Sequence, residues 1–427
     1  MTTIARHYIK LIFAILLAFN SINLNANTQE KNTTTNISSD STLIAYLQEY
    51  GITTTTNNDL KILKSGKEKF LDLFEEIEKA QHHIHLEYFN FRNDSIANTL
   101  FELLEKKAQQ GVEVRAMFDA FGNSSNNQPL KKEHIKAIRE KEIEIVKFDP
   151  LTFPWINHAF HRDHRKIAII DGKIGYTGGM NIADYYINGL PEIGEWRDMH
   201  IRIEGEAVGK LQDIFLDMWN KATDQHIGGE CYYPYNNTST LQPQQNKDVA
   251  IVDRYPRKNP KVMRRVYAKA IESAQEKVQI INPYFTPTKI IKKAIKKALK
   301  NGVKVEIMIP GKSDIPFTPD AAMYIANRLR KKGADIYIYN GGFHHSKIMM
   351  VDSLYCTVGS TNLNSRSLRY DYEVNAFIFD TETTDELMDI FKEDQTDSTL
   401  LTEEMYKSRS TWKKFLGWFA HLFTPFL

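Results

Sequence analysis

A polar motif that occurs twice constrains this chain more than any other feature of its sequence. The first copy reads DHRKIAIIDGKIGYTGGMN and the second reads HHSKIMMVDSLYCTVGSTN. From the histidine that precedes each lysine by two positions, an aspartate follows at seven, a glycine at fourteen and an asparagine at seventeen. The small residues Gly179 and Ser360 stand at the fifteenth position. Matches at fixed offsets indicate that one structural unit, with its own polar site, has been duplicated.

The polar residues at equivalent positions are the candidate catalytic and phosphate-binding groups. They are His164, Lys166, Asp171 and Asn181 in the first copy and His345, Lys347, Asp352 and Asn362 in the second. A spacing of two places histidine and lysine on the same face of a strand. Lysine and asparagine can stabilise phosphoryl oxygens while histidine attacks phosphorus or transfers a proton. Because two lysines and two asparagines supply the positive field, no metal and no other cofactor is expected.

The number of histidines predicts how the two copies are arranged. In a two-step phosphoryl transfer, one histidine forms a phosphohistidine. Another protonates the departing alkoxide and then deprotonates the incoming hydroxyl. A single copy of the motif supplies only one of these groups. We therefore expect both copies to face one cleft.

The segments that precede the motif are repeated as well. FEEIEKAQHHIHLEYFNF is followed by a helical pattern and GVEVRAMFD, whereas YAKAIESAQEKVQIINPYF is followed by a helical pattern and GVKVEIMIP. Alternating strands and helices predict βαβ units. The predicted fold is α/β, with two tandem domains at residues 42–222 and 248–392, joined by a linker at 223–247. Each domain is expected to be a mostly parallel sheet flanked by helices, with the active site at the domain interface.

The amino-terminal residues have the pattern of an export signal. Arg6 and Lys10 precede the apolar run Leu11–Phe19, and small and polar residues follow. A signal peptide or an uncleaved signal anchor is expected at residues 1–26, and a polar tether at residues 27–41. Both alternatives place the bulk of the chain beyond the cytoplasmic membrane and associated with its periplasmic face.

The carboxyl-terminal segment, residues 393–427, is amphipathic. Apolar side chains recur there at helical spacing, and lysines flank them; these residues are Trp412, Phe415, Leu416, Phe419, Leu422, Phe423, Lys413 and Lys414. Aromatic and leucine side chains beside lysines favour a helix that lies in the membrane interface. A terminal helix packed on the protein's own surface is the alternative.

Six further histidines lie in or near the repeated segments. Three occupy an alternating strand without a paired lysine, so a structural role is expected; they are His82, His83 and His85. Three others flank the motifs and are candidates for lining the pocket; they are His158, His161 and His344.

Charge and cysteine content add few constraints. The chain has 55 basic and 53 acidic residues, a net charge of +2, so it has no global field that would attract nucleic acid. Lysines at helical spacing within residues 289–300 are expected on the solvated face of a helix. Cys356 is expected to be a buried apolar residue, and its pairing with Cys231 stays open.

The paired motifs resemble those of the phospholipase D superfamily, and within it the bacterial cardiolipin synthases of the phospholipase D type. The resemblance runs from about Ile62 to the carboxyl terminus. It is carried by HHIHLEYFNFRND, DHRKIAIIDGKIGYTGGMNIADYY, EWRDMHIRIEG, INPYFTP, IMIPGKSD and HHSKIMMVD with the later VGSTNLNSRSLRYDYEVNAFIFD.

The resemblance implies roles for particular residues. The catalytic set would be His164, Lys166, Asp171, His345, Lys347 and Asp352, supported by Asn181 and Asn362. Asp198 and Glu373 would be carboxylates that orient the histidines, since a carboxylate fixes the tautomer of an imidazole and stabilises its charged form. Family analogy assigns His164 as the nucleophile, whereas the sequence leaves the choice of histidine open. The implied reaction moves a phosphatidyl group between two phosphatidylglycerol molecules and releases glycerol.

Three other functions share these motifs. A hydrolase would resolve the same intermediate with water, an exported nuclease would add a basic groove, and a lipid-binding relative would have lost catalysis. The intact motifs and the resemblance to synthases favour transfer, with phospholipid and a membrane surface as partners and no nucleic acid. Oligomeric state stays open. Such synthases usually begin with two membrane-spanning helices, whereas this chain has one short apolar run, so the carboxyl-terminal segment is the expected membrane contact.

Overall fold

The computed structural model describes residues 38–150, 161–236, 245–315 and 318–424. The predicted signal region, the tether up to residue 37, and His158 lie outside these ranges.

The first half of the chain forms a seven-stranded sheet. Its strands, together with β7, which lies apart from the sheet, are β1 (Asn58–Leu63), β2 (His83–Tyr88), β3 (Glu113–Asp119), β4 (Glu144–Phe148), β5 (Lys166–Ile170), β6 (Ile174–Gly178), β7 (Glu195–Arg197) and β8 (His200–Gly205). Its helices are α1 (Ser39–Gln48), α2 (Gly66–Lys79), α3 (Ser95–Ala108), α4 (Ala120–Ser125), α5 (Lys132–Arg139), α6 (Tyr185–Asn188) and α7 (Ala207–Thr223). The strand order is β1-β8-β6-β5-β2-β3-β4.

The second half repeats this arrangement in an eight-stranded sheet. Its strands, with β13 lying apart, are β9 (Asp248–Arg254), β10 (Lys277–Ile281), β11 (Lys304–Pro310), β12 (Asp335–Tyr339), β13 (Gly342–His344), β14 (Ile348–Val351), β15 (Tyr355–Gly359), β16 (Glu373–Phe379) and β17 (Ser398–Leu400). Its helices are α8 (Val262–Ser273), α9 (Lys289–Lys300), α10 (Thr318–Arg330), α11 (Ser365–Arg369), α12 (Thr381–Thr396), α13 (Glu403–Ser408) and α14 (Thr411–Phe423). The strand order is β17-β12-β11-β10-β14-β15-β16-β9.

Both sheets are mixed, which corrects the expectation of mostly parallel sheets. Only β2-β3-β4 and β10-β11-β12 run parallel, through the helical crossovers that the repeated pattern predicts. The motif strands instead form antiparallel hairpins, β5-β6 and β14-β15. Asp171 and Gly172 have φ of 53° and 64°, and Asp352 and Ser353 have φ of 53° and 55°. Tight turns with positive φ match the twist of paired strands, so each motif folds back on itself.

The two sheets share a central apolar core. Strand residues of both halves pack there against α7, through Phe215 and Trp219, and against α12, through Phe391. Separate cores lie on the outer faces, where α2 and α3 cover the first sheet and α8, α9 and α10 cover the second. The halves are therefore held in one fixed arrangement, as a cleft built from both of them requires.

Two segments depart from the predicted domain limits. Helix α1 packs through Leu43 and Leu47 into the core of the second half, although it was expected in the first domain. Strand β17 pairs with β12, so the second sheet continues beyond residue 392. Both segments are short, and their apolar patterns do not specify which half of the protein they pack against.

Three further observations concern helix α9, the two cysteines and the apolar length of the helices. Within α9 the residues Ile291, Ala294, Ile295 and Ala298 are buried, whereas most of the lysines are exposed, as predicted. Cys356 is fully buried and Cys231 is exposed, and both are free thiols. Among the described residues, no helix is both long enough and apolar enough to cross a membrane.

Candidate active site

The two motifs meet at one cavity of about 740 Å³. His164, which precedes β5, and His345, which lies between β13 and β14, both line it. The two asparagines of the repeat, Asn181 and Asn362, line it as well. The structure therefore brings together the histidines that the sequence places 181 positions apart.

Each histidine is held by backbone pairing with the opposite domain. The His164 amide donates to the carbonyl of Tyr372 over 3.1 Å, and the Tyr372 amide donates to the carbonyl of Arg162 over 2.9 Å. In the other half, β13 pairs in parallel with β7, and the His345 amide donates to the carbonyl of Arg197 over 2.7 Å. The residue after each of these partner segments is a carboxylate.

Those carboxylates form crossed pairs with the histidines. Glu373 of the second domain places Oε1 3.0 Å from Nδ1 of His164. Asp198 of the first domain places Oδ2 2.7 Å from Nδ1 of His345. A carboxylate at Nδ1 fixes the tautomer and leaves Nε2 for reaction. The sequence predicted both carboxylates as orienting groups, and the fold assigns each to the histidine of the other domain.

The lysines lie beside the histidines of their own copies. Lys166 and Lys347 are buried, and each ammonium group donates to the carbonyl of the histidine two residues earlier. Lys347 Nζ also lies 3.0 Å from Nε2 of His345. Lys347 thus lies at the reacting nitrogen of His345, and Lys166 is held at the carbonyl of His164, so both are candidates to stabilise a bound phosphoryl group.

Burial sets the protonation of these groups. It lowers the pKa of Lys166 to about 7 and of Lys347 to about 8. It raises the pKa of Glu373 to about 7 and of Asp198 to about 6. It also lowers the pKa of both imidazoles well below the ordinary value. A bound phosphate would favour the charged lysines, since an opposite charge at short range stabilises the ionised form.

The small residues at the fifteenth position of the repeat make room for the carboxylates. A Cβ atom on Gly179 would lie 2.3 Å from Oδ1 of Asp198. Ser360, at the equivalent position, donates its hydroxyl to Glu373. The repeat therefore preserves a small residue because the orienting carboxylate packs directly against it.

The asparagines point unpartnered groups at the cavity. Asn181 and Asn362 are buried, and the side-chain oxygen of each has no hydrogen-bond partner among the described residues. An amide oxygen accepts hydrogen bonds, so the part of each side chain that could bind a phosphoryl oxygen is its NH2 group. The supporting role of both asparagines toward phosphate stays a prediction.

The two aspartates of the repeat lie elsewhere. Asp171 accepts hydrogen bonds from the backbone amides of Gln81, His82 and His83, at 2.7 to 3.2 Å. Asp352 does the same for residues 275–277, each over 2.8 Å. Neither aspartate lines the cavity. Each side chain ties its motif hairpin to the start of the neighbouring strand, so we expect a structural role for both aspartates, and their place in the catalytic set stays a prediction.

The other histidines serve different purposes. His83 and His85 are buried and contact Gln212 of α7 at 3.0 and 2.9 Å, which agrees with the structural role expected for them. His344 is buried against Asp394 at 2.9 Å, and it does not line the cavity. His161 lines a smaller neighbouring cavity. The structure therefore does not bring these two flanking histidines to the main cleft.

Several cleft residues were not singled out from the sequence. They are Arg92, Tyr185, Trp196, Tyr284, Asp314 and Arg366. Arg92, Tyr284 and Asp314 lie in segments that follow strands, whereas Trp196 is in β7 and Tyr185 and Arg366 are in the short helices α6 and α11. No period or duplicated spacing distinguishes these residues. For the first three, the usable signal was their position after strand ends, where α/β proteins place their ligands.

Two repeated α/β domains that share one cleft, with a histidine and a lysine from each, define an enzyme of the phospholipase D type. A family model described as "Cardiolipin synthase, PLD-like domain" matches residues 73–219 and 267–395. The chain belongs to this family, whose class is that of phospholipid phosphatidyltransferases.

Curated relatives match along most of the chain. A cardiolipin synthase of Listeria monocytogenes serotype 4b (strain CLIP80459) is 37% identical over 378 residues, covering 88% of this chain and 77% of that protein. One from Staphylococcus aureus (strain Mu50 / ATCC 700699) is 38% identical over 377 residues, covering 87% and 74%.

A solved structure shares the fold. Phosphatidylserine synthase of Haemophilus influenzae Rd KW20 superimposes with a TM-score of 0.69 at 16% identity, covering 90% of this chain and all of that one. At this identity the likeness concerns the architecture alone.

Proposed function

We propose that this protein makes cardiolipin from two molecules of phosphatidylglycerol and releases glycerol. The observation that carries the proposal is the pair of crossed histidine–carboxylate contacts, His164 with Glu373 and His345 with Asp198, at one cavity. A two-step transfer needs two such imidazoles, and the similarity to cardiolipin synthases supports a lipid alcohol as the acceptor.

In the first step, Nε2 of one histidine attacks phosphorus of the donor lipid. A P–N bond forms, the P–O bond to glycerol breaks, and the other histidine gives its proton to the departing glycerol oxygen. In the second step, that histidine removes the proton from a hydroxyl of the second phosphatidylglycerol. The new P–O bond forms, the P–N bond breaks, and cardiolipin is released.

The lysines and asparagines stabilise the charge that develops on the phosphoryl oxygens. Lys166 and Lys347 lie beside the histidines of their own copies, and Asn181 and Asn362 line the cavity with amide groups. Donors that are already in place cost no reorganisation in the transition state.

The proposed site of action is a membrane surface on the exported side of the cytoplasmic membrane. Helix α14 exposes aromatic rings, with Trp412 64% and Trp418 45% accessible. The helix packs on α10, where a Cβ on Gly417 would lie 2.5 Å from the carbonyl of Asp320. Thr318 and Ala321 of α10 line the cavity. This continuity supports a lipid-facing rim beside the cavity, with α14 lying in the interface.

The test is incubation of the protein with phosphatidylglycerol vesicles, followed by lipid mass spectrometry. Cardiolipin with an equal amount of glycerol is expected. Phosphatidic acid alone would make the protein a hydrolase, and the absence of any lipid product would direct attention to nucleic acid. His164→Ala and His345→Ala should each abolish turnover in folded protein. Rapid quenching in denaturant at neutral to mildly alkaline pH, where a phosphohistidine survives, should leave the phosphatidyl group on one histidine and so identify the nucleophile.

A further inference from the structure

The proposed function, on which this inference rests, requires the cleft to bind two anionic lipids at once. The acceptor phosphatidylglycerol carries its own phosphodiester at the far end of the glycerol unit whose hydroxyl attacks. That second phosphate must enter the same cavity, and Lys166 and Lys347 already face the phosphate being transferred. A buried anion without a counter-charge is strongly unfavourable. The cleft therefore needs a further cation.

Two arginines line the cavity, and their surroundings differ. The Nε of Arg366 lies 3.1 Å from Oδ2 of Asp371, so its charge is compensated. The Nε of Arg92 lies 3.9 Å from its nearest paired carboxylate oxygen, on Asp94, which is beyond hydrogen-bond length. Arg92 is therefore the cation with charge to offer.

The carboxylate of Asp94 is occupied by backbone donors. Oδ2 accepts from the amide of Asp184 at 2.8 Å, and Oδ1 accepts from the amide of Ala97 as the cap of α3. The side chain of Arg92 is only 12% exposed, and its Nε is buried without a hydrogen-bond partner among the described residues. The guanidinium also lies over the ring of Tyr185, which lines the cavity with it.

The backbone fixes Arg92 in this position. Its amide donates to the carbonyl of Ile182 over 3.0 Å, next to the asparagine of the first motif, and its segment bridges to Pro129. The guanidinium is thus presented from a constrained strand end. A planar guanidinium can bind a phosphate through two parallel hydrogen bonds, which an ammonium group cannot do.

The internal repeat shows that this cation is present on one side only. Aligning the Ala-Gln pairs at residues 80–81 and 274–275 places Thr286 opposite Arg92, and both residues line the cavity. Two catalytic half-sites therefore surround a cleft in which the first half has an arginine at the position that a threonine occupies in the second half. This asymmetry suits a reaction in which one lipid loses its headgroup and the other keeps its phosphodiester.

We propose that Arg92 binds the phosphodiester of the acceptor lipid and thereby favours a phosphatidylglycerol hydroxyl over uncharged acceptors. Its role is in specificity and positioning, because the transferred phosphorus is served by the histidines and lysines.

The experiment compares two acceptors for the same phosphatidyl-enzyme. Vesicles of phosphatidylglycerol are supplied with deuterated glycerol, and mass spectrometry follows cardiolipin formation and glycerol exchange in one sample. Glycerol carries no phosphate, so only cardiolipin formation uses the second anion site. In Arg92→Gln the ratio of cardiolipin formation to glycerol exchange should fall about tenfold or more, since the charge-assisted hydrogen bonds between the guanidinium and the acceptor phosphate are lost. Arg92→Lys should restore part of the ratio.

The matched control is Arg328→Gln, which removes the same charge from the exposed face of α10. The control should leave the ratio unchanged while reporting any weaker attraction to anionic vesicles. An unchanged ratio in folded Arg92→Gln, or an equal fall in both reactions, would overturn the inference. Wild-type protein that exchanges glycerol or forms phosphatidic acid without cardiolipin would overturn the proposed function itself, and this inference with it.

Discussion

Glu373 of the second domain orients His164 of the first, with 3.0 Å between Oε1 and Nδ1, although the two residues are 209 positions apart. The reciprocal contact joins Asp198 to His345 across 147 positions. Neither domain on its own pairs its motif histidine with an orienting carboxylate. The active site is therefore a property of the packed pair of domains.

Removing the charge of either orienting carboxylate should slow turnover without unfolding the protein. Glu373→Gln and Asp198→Asn should each lower kcat about 10²-fold or more, because the imidazole loses the group that fixes its tautomer and stabilises its protonated form. Steady-state kinetics with phosphatidylglycerol measures the effect. Asp394→Asn is the matched control, since Asp394 pairs with His344 away from the cavity. It should affect the melting temperature more than kcat, and near wild-type kcat in Glu373→Gln would contradict the crossed-pair mechanism.

The aspartates of the repeat should matter for stability and little for chemistry. In Asp171→Asn, an amide NH2 group, which donates, replaces one of the carboxylate oxygens that accept from three backbone amides. This change should cost about 1–3 kcal/mol of unfolding free energy. Asp352→Asn should behave alike. Denaturant unfolding measures the loss, and turnover is compared per folded molecule. A folded Asp171→Asn protein without activity would return this residue to the catalytic set.

Anion binding in the cleft should weaken as the pH rises. Burial lowers the pKa of Lys166 to about 7 and of Lys347 to about 8, so both ammonium groups lose their protons at moderately alkaline pH. Sulfate keeps its charge over this range and imitates a phosphoryl group. Its affinity should fall as pH rises through both values, and near the higher value its binding should take up protons. Calorimetry in buffers of different ionisation enthalpy measures the uptake.

Lys166→Met and Lys347→Met serve as controls for that titration, since each removes one of the groups that take up a proton. Each variant should show less proton uptake than the wild type. Sulfate affinity that stays constant across this pH range would contradict the assignment of the lysines as the titrating groups.

The exposed face of α14 should carry much of the affinity for lipid surfaces. Phe415→Ser with Trp418→Ser should weaken binding to phosphatidylglycerol vesicles about tenfold or more, because each buried aromatic ring contributes about 1.5–3 kcal/mol. Vesicle co-sedimentation measures it, and the melting temperature checks the fold. Lys413→Ala with Lys414→Ala separates the electrostatic part, which should be lost on neutral vesicles and at high salt. Undiminished binding by the aromatic variant would rule out this helix as the membrane contact.

Much of this site follows from local sequence patterns. A repeat with fixed offsets identifies His164, His345 and their lysines, because matched positions in two copies are recognisable whatever the rest of the fold does. The alternation of strands and helices gives the two α/β domains in the same way. These are short-range regularities, and they are legible in one chain.

Other features depend on how distant segments pack. The repeat cannot distinguish Asp171, which accepts from backbone amides at the start of β2, from Lys166, which contacts the histidine of its own motif, because both recur at fixed offsets. Which histidine Glu373 and Asp198 serve is set by backbone pairing between the domains, at Tyr372 with Arg162 and at β13 with β7. The second half has no equivalent of Arg92, because Thr286 stands at the matching position. The role proposed for Arg92 depends on Asp94, whose carboxylate accepts hydrogen bonds from the amides of Ala97 and Asp184. Spacing along the chain determines which side chains share a face of a strand. Which charges are compensated, and which carboxylate contacts the histidine of the other domain, is determined only when the two sheets pack together.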